Sequence, residues 1–166
     1  MKVSKSQWYA FYVKPRHEKR VLDRAKELEH EVYLPLIKSW NQWSDRKKEI
    51  EKPLIPGYIF SRIRLEDRVH ILQIPGIVSI VKIGGKWATI PDEQIETLKQ
   101  FVNNSDTLTT ETKVVRGEKV RVYRGAFAGA TGIVKGIKGK TRLVLVIDNL
   151  NLSYSVEIKK TDLKKA

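Results

Sequence analysis

The sequence has no cysteine, one methionine and only three histidines among its 166 residues. Without cysteine, the chain forms no disulfide and offers no thiolate to a metal ion. The histidines, at positions 17, 30 and 70, are scattered and lack the spacing of metal ligands. We therefore expect neither a metal ion nor any other cofactor.

Long apolar runs are also missing. No stretch approaches the roughly 18 apolar residues that identify a membrane-spanning helix. No helical segment pairs a basic face with a bulky apolar face, the pattern of helices that lie on membranes. The N-terminus has an early lysine but lacks the apolar core and cleavage site of a signal peptide. These absences predict a cytoplasmic protein without a membrane partner.

Acidic residues are few relative to basic ones. The chain has 19 aspartates and glutamates against 32 lysines and arginines, which gives a formal net charge of +13. Such an excess favours a polyanionic partner, because phosphate neutralisation releases counterions. Nucleic acid, or a machine that contains it, is the predicted partner.

Hydrophobic periodicity divides the chain into two parts. In residues 1–103, strand patterns alternate with helical ones; a helix is predicted at about 16–30 and a polar hairpin at 40–52. Residues 104–113 are polar and nearly free of large apolar groups, as is typical of a flexible linker. Residues 114–166 show strand patterns alone. The predicted fold class is α+β.

A glycine-rich bend lies at residues 120–134, where glycines 125, 129 and 132 separate two short apolar strands. Glycine adopts positive φ without a steric penalty, so this spacing indicates a tightly bent strand-turn-strand. Phe127 is a candidate anchor for a small barrel. The segment fits any hairpin with such a turn, and it also resembles the KOW motif of SH3-like barrels in ribosomal proteins and elongation factors.

The strand predicted at 57–64 carries aromatic and basic side chains on one face, namely Tyr58, Phe60, Arg62 and Arg64. Two prolines and a glycine precede it, and a β-arch that leads into a core strand accounts for part of this pattern. An aromatic and cationic face also suits a protein contact beside a nucleic acid. Both interpretations remain open at this point.

The order of several segments resembles the NusG family, and the similarity extends over almost the whole chain. These segments are Trp8-Tyr9, 53–60, 75–84, 90–95 and the KOW segment. In that family, an NGN domain (an antiparallel sheet with flanking helices) is joined by a flexible linker to a C-terminal KOW domain, an SH3-like β-barrel. The resemblance implies an NGN domain at 1–103, a linker at 104–113 and a KOW domain at 114–166.

Residues 8–21 and 42–60 are similar to specialised NusG paralogues of the RfaH/UpxY type. Those paralogues promote read-through of long operons, often operons for surface polysaccharides. The resemblance thus implies a transcription elongation and antitermination factor that suppresses pausing and termination. It would hold the polymerase clamp closed by binding alone, without chemistry.

The resemblance also implies a contact with RNA polymerase. In the family, a hydrophobic depression on the NGN domain binds the clamp helices of the largest polymerase subunit. Tyr58 and Phe60 match the positions of that contact, and Ile83 is a further match. Ile83 also fits a purely structural place in the core.

A basic run, Lys14, Arg16, His17, Lys19 and Arg20, lies where the first strand meets the first helix. A solvated helix start explains it, although cations oppose the helix dipole near an N-terminus and thereby hint at an anionic ligand. By resemblance, the region contacts the non-template DNA strand in the transcription bubble. Arg16 and His17 would contact bases, and the three other side chains would hold phosphates.

Two apolar residues of the KOW segment are candidates for partner contacts. Leu150 aligns loosely with the position where KOW domains of the NusG type bind ribosomal protein S10 or the terminator Rho, and a leucine there argues against Rho. Phe127 is the second candidate, with a place in the barrel core as the alternative.

No motif of an enzyme is present: the sequence lacks a phosphate-binding loop, a nucleophile elbow and a carboxylate pair. The alternative function is a ribosome-associated RNA-binding protein with its KOW barrel on ribosomal RNA. The complete domain that precedes the barrel, with its aromatic face, argues against it. An enzyme with a KOW appendage would require unrecognised chemistry in residues 1–103.

Overall fold

The computed structural model of the chain describes residues 4–111, 117–137 and 139–166. The chain divides into two compact units, Met1–Thr89 and Ile90–Ala166. The predicted α+β class is confirmed, since the first unit combines sheet and helices and the second is rich in strands. The start of the predicted KOW domain, residues 114–116, lies outside the described residues, as do residues 112 and 113 of the predicted linker.

The first unit contains the predicted alternation of strands and helices. Its helices are α1 (Glu18–Glu27) and α2 (Arg68–Leu72). Its strands are β1 (Gln7–Val13), β2 (Val32–Tyr33), β3 (Leu36–Gln42), β4 (Lys47–Pro53), β5 (Tyr58–Ile63), β6 (Ile77–Ile80), β7 (Lys82–Ile83) and β8 (Lys86–Trp87). The short strand β9 (Thr89–Ile90) lies at the division between the units.

Helix α1 is shorter than the predicted 16–30 because its two ends leave helical geometry. Arg16 before it and Glu29 after it adopt positive φ angles of 65° and 60°. Within the helix, Val21 and Ala25 lie four residues apart on one face and are buried. The periodicity located the helix correctly, whereas the left-handed residues set its ends.

The main sheet of the first unit has the strand order β2–β5–β1–β6. Strand β1 pairs antiparallel with β5, so that Tyr12 lies opposite Tyr58 and Ala10 opposite Phe60. One side of the sheet packs against the helices. The core residues there include Phe11, Val21, Ala25, Ile59, Ile63 and Ile71. Burial of these side chains provides the main stabilisation of the unit.

Strands β3 and β4 form the predicted polar hairpin, as a separate two-stranded sheet. Trp40 lies directly opposite Glu49, and the backbone N–H of Trp43 donates to Arg46 O at 2.8 Å to close the turn. Most of its side chains are exposed.

The second unit begins with helix α3 (Asp92–Asn103), which packs against β12 and β13. Its strands are β10 (Thr109–Thr110), β11 (Lys119–Val122), β12 (Thr131–Ile137), β13 (Lys140–Ile147), β14 (Leu152–Glu157) and β15 (Leu163–Lys165), in the sheet order β10–β14–β13–β12–β11–β15. The sequence predicted the strands from β11 to β14 and missed β10 and β15. Those two are only two and three residues long, which is too short for a periodic pattern.

The boundary between the compact units differs from the predicted boundary near residue 103 by the length of α3. The reason lies in the contacts of this helix: Thr131 N–H donates to Thr97 Oγ1 at 3.2 Å, and Phe101 meets Phe127 edge-on with centroids 5.8 Å apart. The helix therefore shares a core with the strands that follow it.

Residues 104–111 were predicted as part of a flexible linker, and the structure places them against the sheet of the second unit. Strand β10 pairs with β14, and the guanidinium of Arg142 donates to Thr107 O at 2.5 Å. Glu111 accepts from Ser155 Oγ and from Lys135 Nζ at 2.5 and 2.7 Å. This segment, called the strap below, is held by polar bonds, which an apolar periodicity does not reveal.

Glycines in the glycine-rich bend have two different structural roles. Gly125 and Gly129 have φ angles of 86° and 87°, as the prediction requires. Gly132 does not have a positive φ; instead, a Cβ there would lie 2.3 Å from Val144 O. Its role is a close approach of two strands rather than a turn.

Candidate functional site

The predicted DNA-contacting residues, called the basic cluster below (Lys14, Arg16, His17, Lys19 and Arg20), lie together at the junction of β1 and α1. Two backbone bonds hold the junction, from Val13 N–H to Gly57 O at 2.9 Å and from Lys14 N–H to Gly76 O at 2.8 Å. The left-handed Arg16 turns the chain into the helix. All members are exposed except His17, which is half-buried.

The members of the basic cluster differ in how firmly they are held. His17 Nδ1 lies 3.0 Å from Pro15 O, and Gly76 is so close that a Cβ there would meet His17 Cβ at 3.3 Å. Lys19 Nζ donates to Glu51 O of β4 at 2.6 Å. Among the residues that the structure describes, Lys14, Arg16 and Arg20 form no ion pair.

Glu18 is a member of the site that the sequence analysis missed. Its side chain is buried, with 6% exposure, and its Oε1 accepts from Gly57 N–H at 3.0 Å. An acid in the first helical turn suits the helix dipole, and this is the feature of the sequence that could have indicated a role for Glu18. Nothing in the sequence around Gly57, 39 residues away, indicates that it is the partner. Because Gly57 precedes Tyr58, this bond fixes the start of β5 relative to α1.

Tyr58 and its neighbour Tyr12 form an aromatic pair at one end of the sheet, called the tyrosine pair below. Their ring centroids are 5.0 Å apart with the planes tilted by 46°. Tyr12 is 40% exposed and Tyr58 is half-buried. Burial, followed by the hydrogen bond and charge of Tyr12, raises the pKa of the Tyr58 hydroxyl above its ordinary value. The Tyr58 ring thus stays neutral and available for an apolar contact.

Phe60 differs from the expected exposed position, because its side chain is completely buried. Its ring stacks on Tyr33 with centroids 6.4 Å apart. Tyr58 and Phe60 share a strand face, yet only Tyr58 reaches the surface. A partner contacts Phe60 only when the residues that cover it move.

Ile83 is 46% exposed in β7, so its alternative assignment to the core is wrong. It lies in a separate two-stranded sheet with β8 rather than beside Tyr58 in the main sheet. The neighbouring Trp87 ring has the Lys82 ammonium 4.0 Å from its centroid and the Arg68 guanidinium at 5.6 Å. Such cation–π contacts hold the small hairpin in shape.

The two candidates in the second unit are both half-buried. Phe127 packs on Phe101, which agrees with the core alternative for this residue. Leu150 ends a short 3-10 turn, Asp148–Leu150, and is followed by Asn151 with φ of 53°. The turn presents Leu150 at one end of the sheet.

Within the described ranges, no group of three or more histidines and carboxylates is arranged around a common point where a metal ion would fit. No helix in those ranges has the length and apolarity to cross a bilayer.

The chain is similar to known proteins in sequence and in fold. Residues 6–99, more than half of the chain, match the family model described as transcription termination factor nusG. The transcription termination/antitermination protein NusG of Thermus thermophilus is 26% identical over 166 residues, an alignment that covers 85% of this chain and 89% of the relative.

A solved structure described as "Domain interaction in Thermotoga maritima NusG" is similar with a TM-score of 0.53. The match covers 97% of each chain at 17% sequence identity. At this identity the similarity concerns the fold, and it agrees with the α+β class described above.

Proposed function

The chain belongs to the NusG family, and from this premise we propose that it is a transcription elongation and antitermination factor that acts by binding RNA polymerase. The observation that carries the proposal is the bond between Glu18 and Gly57. It joins the helix beside the exposed basic cluster to the start of β5, the strand that presents Tyr58. A nucleic-acid contact and a protein contact would then be held side by side in one unit.

The polymerase contact of this proposal uses the tyrosine pair and Ile83. Tyr12 and Ile83 are well exposed and Tyr58 is half-buried, so the tyrosine pair and the separate hairpin of Ile83 each offer apolar side chains to the clamp helices of the polymerase. Buried aromatic side chains are frequent hot spots of protein interfaces. Phe60 supports the strand beneath, and it becomes a direct contact only if it is uncovered.

The DNA contact uses the basic cluster. Lys14, Arg16 and Arg20 are free to hold phosphates or bases of the non-template strand. Lys19 and His17 have partners within the protein, so they shape the surface more than they bind. With the clamp closed and the non-template strand held, the polymerase would occupy paused states less often.

The second unit carries the proposed site for a further partner. Leu150, presented at one end of the sheet, and the half-buried Phe127 are the apolar candidates. Ribosomal protein S10 is the proposed partner, and Rho is disfavoured by the leucine at 150. Residues 8–21 and 42–60 support a specialised role of the RfaH/UpxY type in the read-through of long operons. In this role the protein is cytoplasmic and not an enzyme.

Capture of RNA polymerase by the full chain tests the polymerase contact. Tyr58→Ala is expected to reduce polymerase affinity by about 1–3 kcal/mol, as the loss of an aromatic hot spot does. The matched control is Tyr123→Ala, which removes a 44% exposed tyrosine of the second unit. Full recruitment by a folded Tyr58→Ala, Ile83→Ala double variant would contradict the proposed contact.

Crosslinking from position 16 distinguishes this function from the ribosomal alternative. A photoreactive group there is expected to reach the non-template DNA strand of an elongation complex. Capture of ribosomal subunits without polymerase, with crosslinks to RNA alone, would favour the alternative. Arg16 is exposed whereas His17 is half-buried. Replacement of Arg16 is therefore expected to weaken DNA binding more than replacement of His17.

A further inference from the structure

The hairpin formed by β3 and β4 has one side turned toward solvent. Residues that pair directly in an antiparallel ribbon share a face, and the exposed face carries Trp40, Gln42 and Lys47. The opposite face contains the half-buried Ile37 and Ile50. The alternation of side chains along the two strands therefore half-buries the face with Ile37 and Ile50 and exposes the face with Trp40 to solvent.

Two tryptophans dominate the open part of the hairpin. Trp40 is 66% exposed and Trp43, in the turn, is 57% exposed. Neither side chain has a place in the hydrophobic core, whereas Trp8 is 4% exposed. Large exposed indole faces do not help folding, and they suit stacking on planar ligands such as nucleobases.

Two exposed cations, Arg46 and Lys47, directly follow the turn that contains Trp43. Lys48 is also exposed, but it pairs with Asn41 and so lies on the opposite face of the ribbon from Trp40. Trp40, Gln42 and Lys47 line one shallow depression, so a base on Trp40 would have an ammonium next to it. The acid opposite Trp40 is Glu49, and its carboxylate is paired with Lys38 Nζ at 2.9 Å, which reduces its repulsion of an anion.

The hairpin is also continuous with the basic cluster. The ammonium of Lys19 is bonded to Glu51 O of β4. Glu51 lies two residues from Glu49, the residue opposite Trp40, which corresponds to about 7 Å along a strand. A single nucleic-acid strand that extends from the basic cluster along the hairpin would contact Trp40 next and then Lys47.

From these observations we propose that residues 36–53 form a binding site for single-stranded DNA. Trp40 and Trp43 stack on its bases, and Arg46 and Lys47 hold its phosphates. The site extends the DNA path of the basic cluster, and it rests on the proposed function for the choice of DNA as the occupant. Sequence preference is expected to be weak, because every base has a face that stacks.

Intrinsic fluorescence of the full chain tests this site directly. Of the four tryptophans, Trp40 and Trp43 are the strongly exposed ones, while Trp8 is buried and Trp87 half-buried. Titration with a short oligothymidylate is expected to quench the emission, and Trp40→Ala or Trp43→Ala is expected to weaken binding about tenfold each. Replacement of Arg46 and Lys47 by glutamine is expected to flatten the salt dependence of binding.

Matched variants separate this inference from the proposed function. Val78→Ala, at a 60% exposed position outside the hairpin, is expected to bind and quench like the wild type. Arg16→Ala is expected to weaken binding while the full quenching at saturation remains. If oligothymidylate binding and quenching persist but polymerase capture fails, the hairpin site is supported and the proposed function is not.

Several outcomes would overturn the hairpin site. One is equal oligothymidylate affinity of the wild type and of a Trp40→Ala, Trp43→Ala variant with an unchanged circular dichroism spectrum. Another is quenching by anionic phospholipid vesicles but not by the oligonucleotide, which would assign the tryptophans to a membrane surface. A third is equal affinity for duplex and single-stranded DNA, because a duplex cannot present its bases for stacking.

Discussion

The two units differ in what their charged side chains do. In the second unit, Arg142 is 8% exposed and its guanidinium bonds to Ser155 and to the strap, while Lys119 and Arg121 both pair with Glu93. In the first unit, the basic cluster is mostly exposed. The same residue types thus stabilise one unit and remain available for a partner in the other.

This difference indicates where mutations affect stability and where they affect binding. When a buried cation is removed, its acceptors are left without a donor, and this lowers the stability of the protein. When an exposed cation is removed, water takes its place at little cost. All four tryptophans lie at positions up to 87, so their fluorescence follows unfolding of the first unit. Amide exchange in β13 and β14 follows the second unit.

Arg142→Ala is expected to have the largest effect. It should destabilise the second unit by about 3–5 kcal/mol, because four acceptors on Ser155, Thr107 and Thr109 lose their buried donor. Amide exchange in β13 and β14 measures the loss. Arg16→Ala, the matched change in the first unit, should stay within about 0.5 kcal/mol of the wild type.

If Arg142→Ala shifts the tryptophan unfolding transition as much as it shifts amide exchange in β13 and β14, the two units unfold together and the comparison between them fails.

Lys140→Ala provides a second comparison, within the second unit. Its ion pair with Glu157 is exposed at 64% on the lysine side, so a change below about 1 kcal/mol is expected.

Glu111→Gln is expected to have an intermediate and pH-dependent effect. Hydrogen bonds from Lys135 and then Ser155 lower the pKa of the Glu111 carboxyl below its ordinary 4.5. The folded state therefore binds the proton less readily, so the stabilisation is present above that pH and is lost as the pH falls through the folded pKa. At neutral pH the variant should be less stable by about 1–2 kcal/mol.

Denaturant unfolding of both proteins at several pH values, with amide exchange as the probe, measures this difference. The gap between wild type and Glu111→Gln should narrow as the pH drops below about 4.5. A constant gap at every pH would show that the carboxylate charge does not hold the strap.

His30 provides the smallest effect, in the first unit. Burial, and then the nearby His70, lower the pKa of its imidazole below 6.5, against an opposing influence of Asp67. The neutral ring is favoured in the folded state, so its contribution is present above pH 6.5 and is lost as the pH falls below it. We expect less than about 1 kcal/mol.

An NMR titration of the His30 ring measures the pKa directly. His70→Gln should raise it, since the repulsion from the second imidazole is removed. A His30 pKa at or above 6.5 in the wild type would contradict the assignment. The acid sensitivity of the first unit is thus expected to begin near pH 6.5 and that of the strap near pH 4.5.

Local patterns predicted the strands and helices well, because apolar periodicity follows directly from burial. They predicted less of the site. The alternation of β5 placed Tyr58 and Phe60 on one face, but whether a face is covered depends on tertiary packing. Likewise, the contacts of the strap could not be predicted, because Arg142 and Glu111 hold it through polar bonds between residues 24–44 positions apart.

Glu18 has one more consequence, for the electrostatic potential that an approaching anion meets. A count of charges along residues 14–20 includes this carboxylate and subtracts it from the total. Its burial and its bond to a backbone N–H turn the negative charge away from solvent. The field outside the junction of β1 and α1 is therefore more positive than the count implies, and Glu18→Gln should change the attraction of phosphate less than its unit charge would suggest.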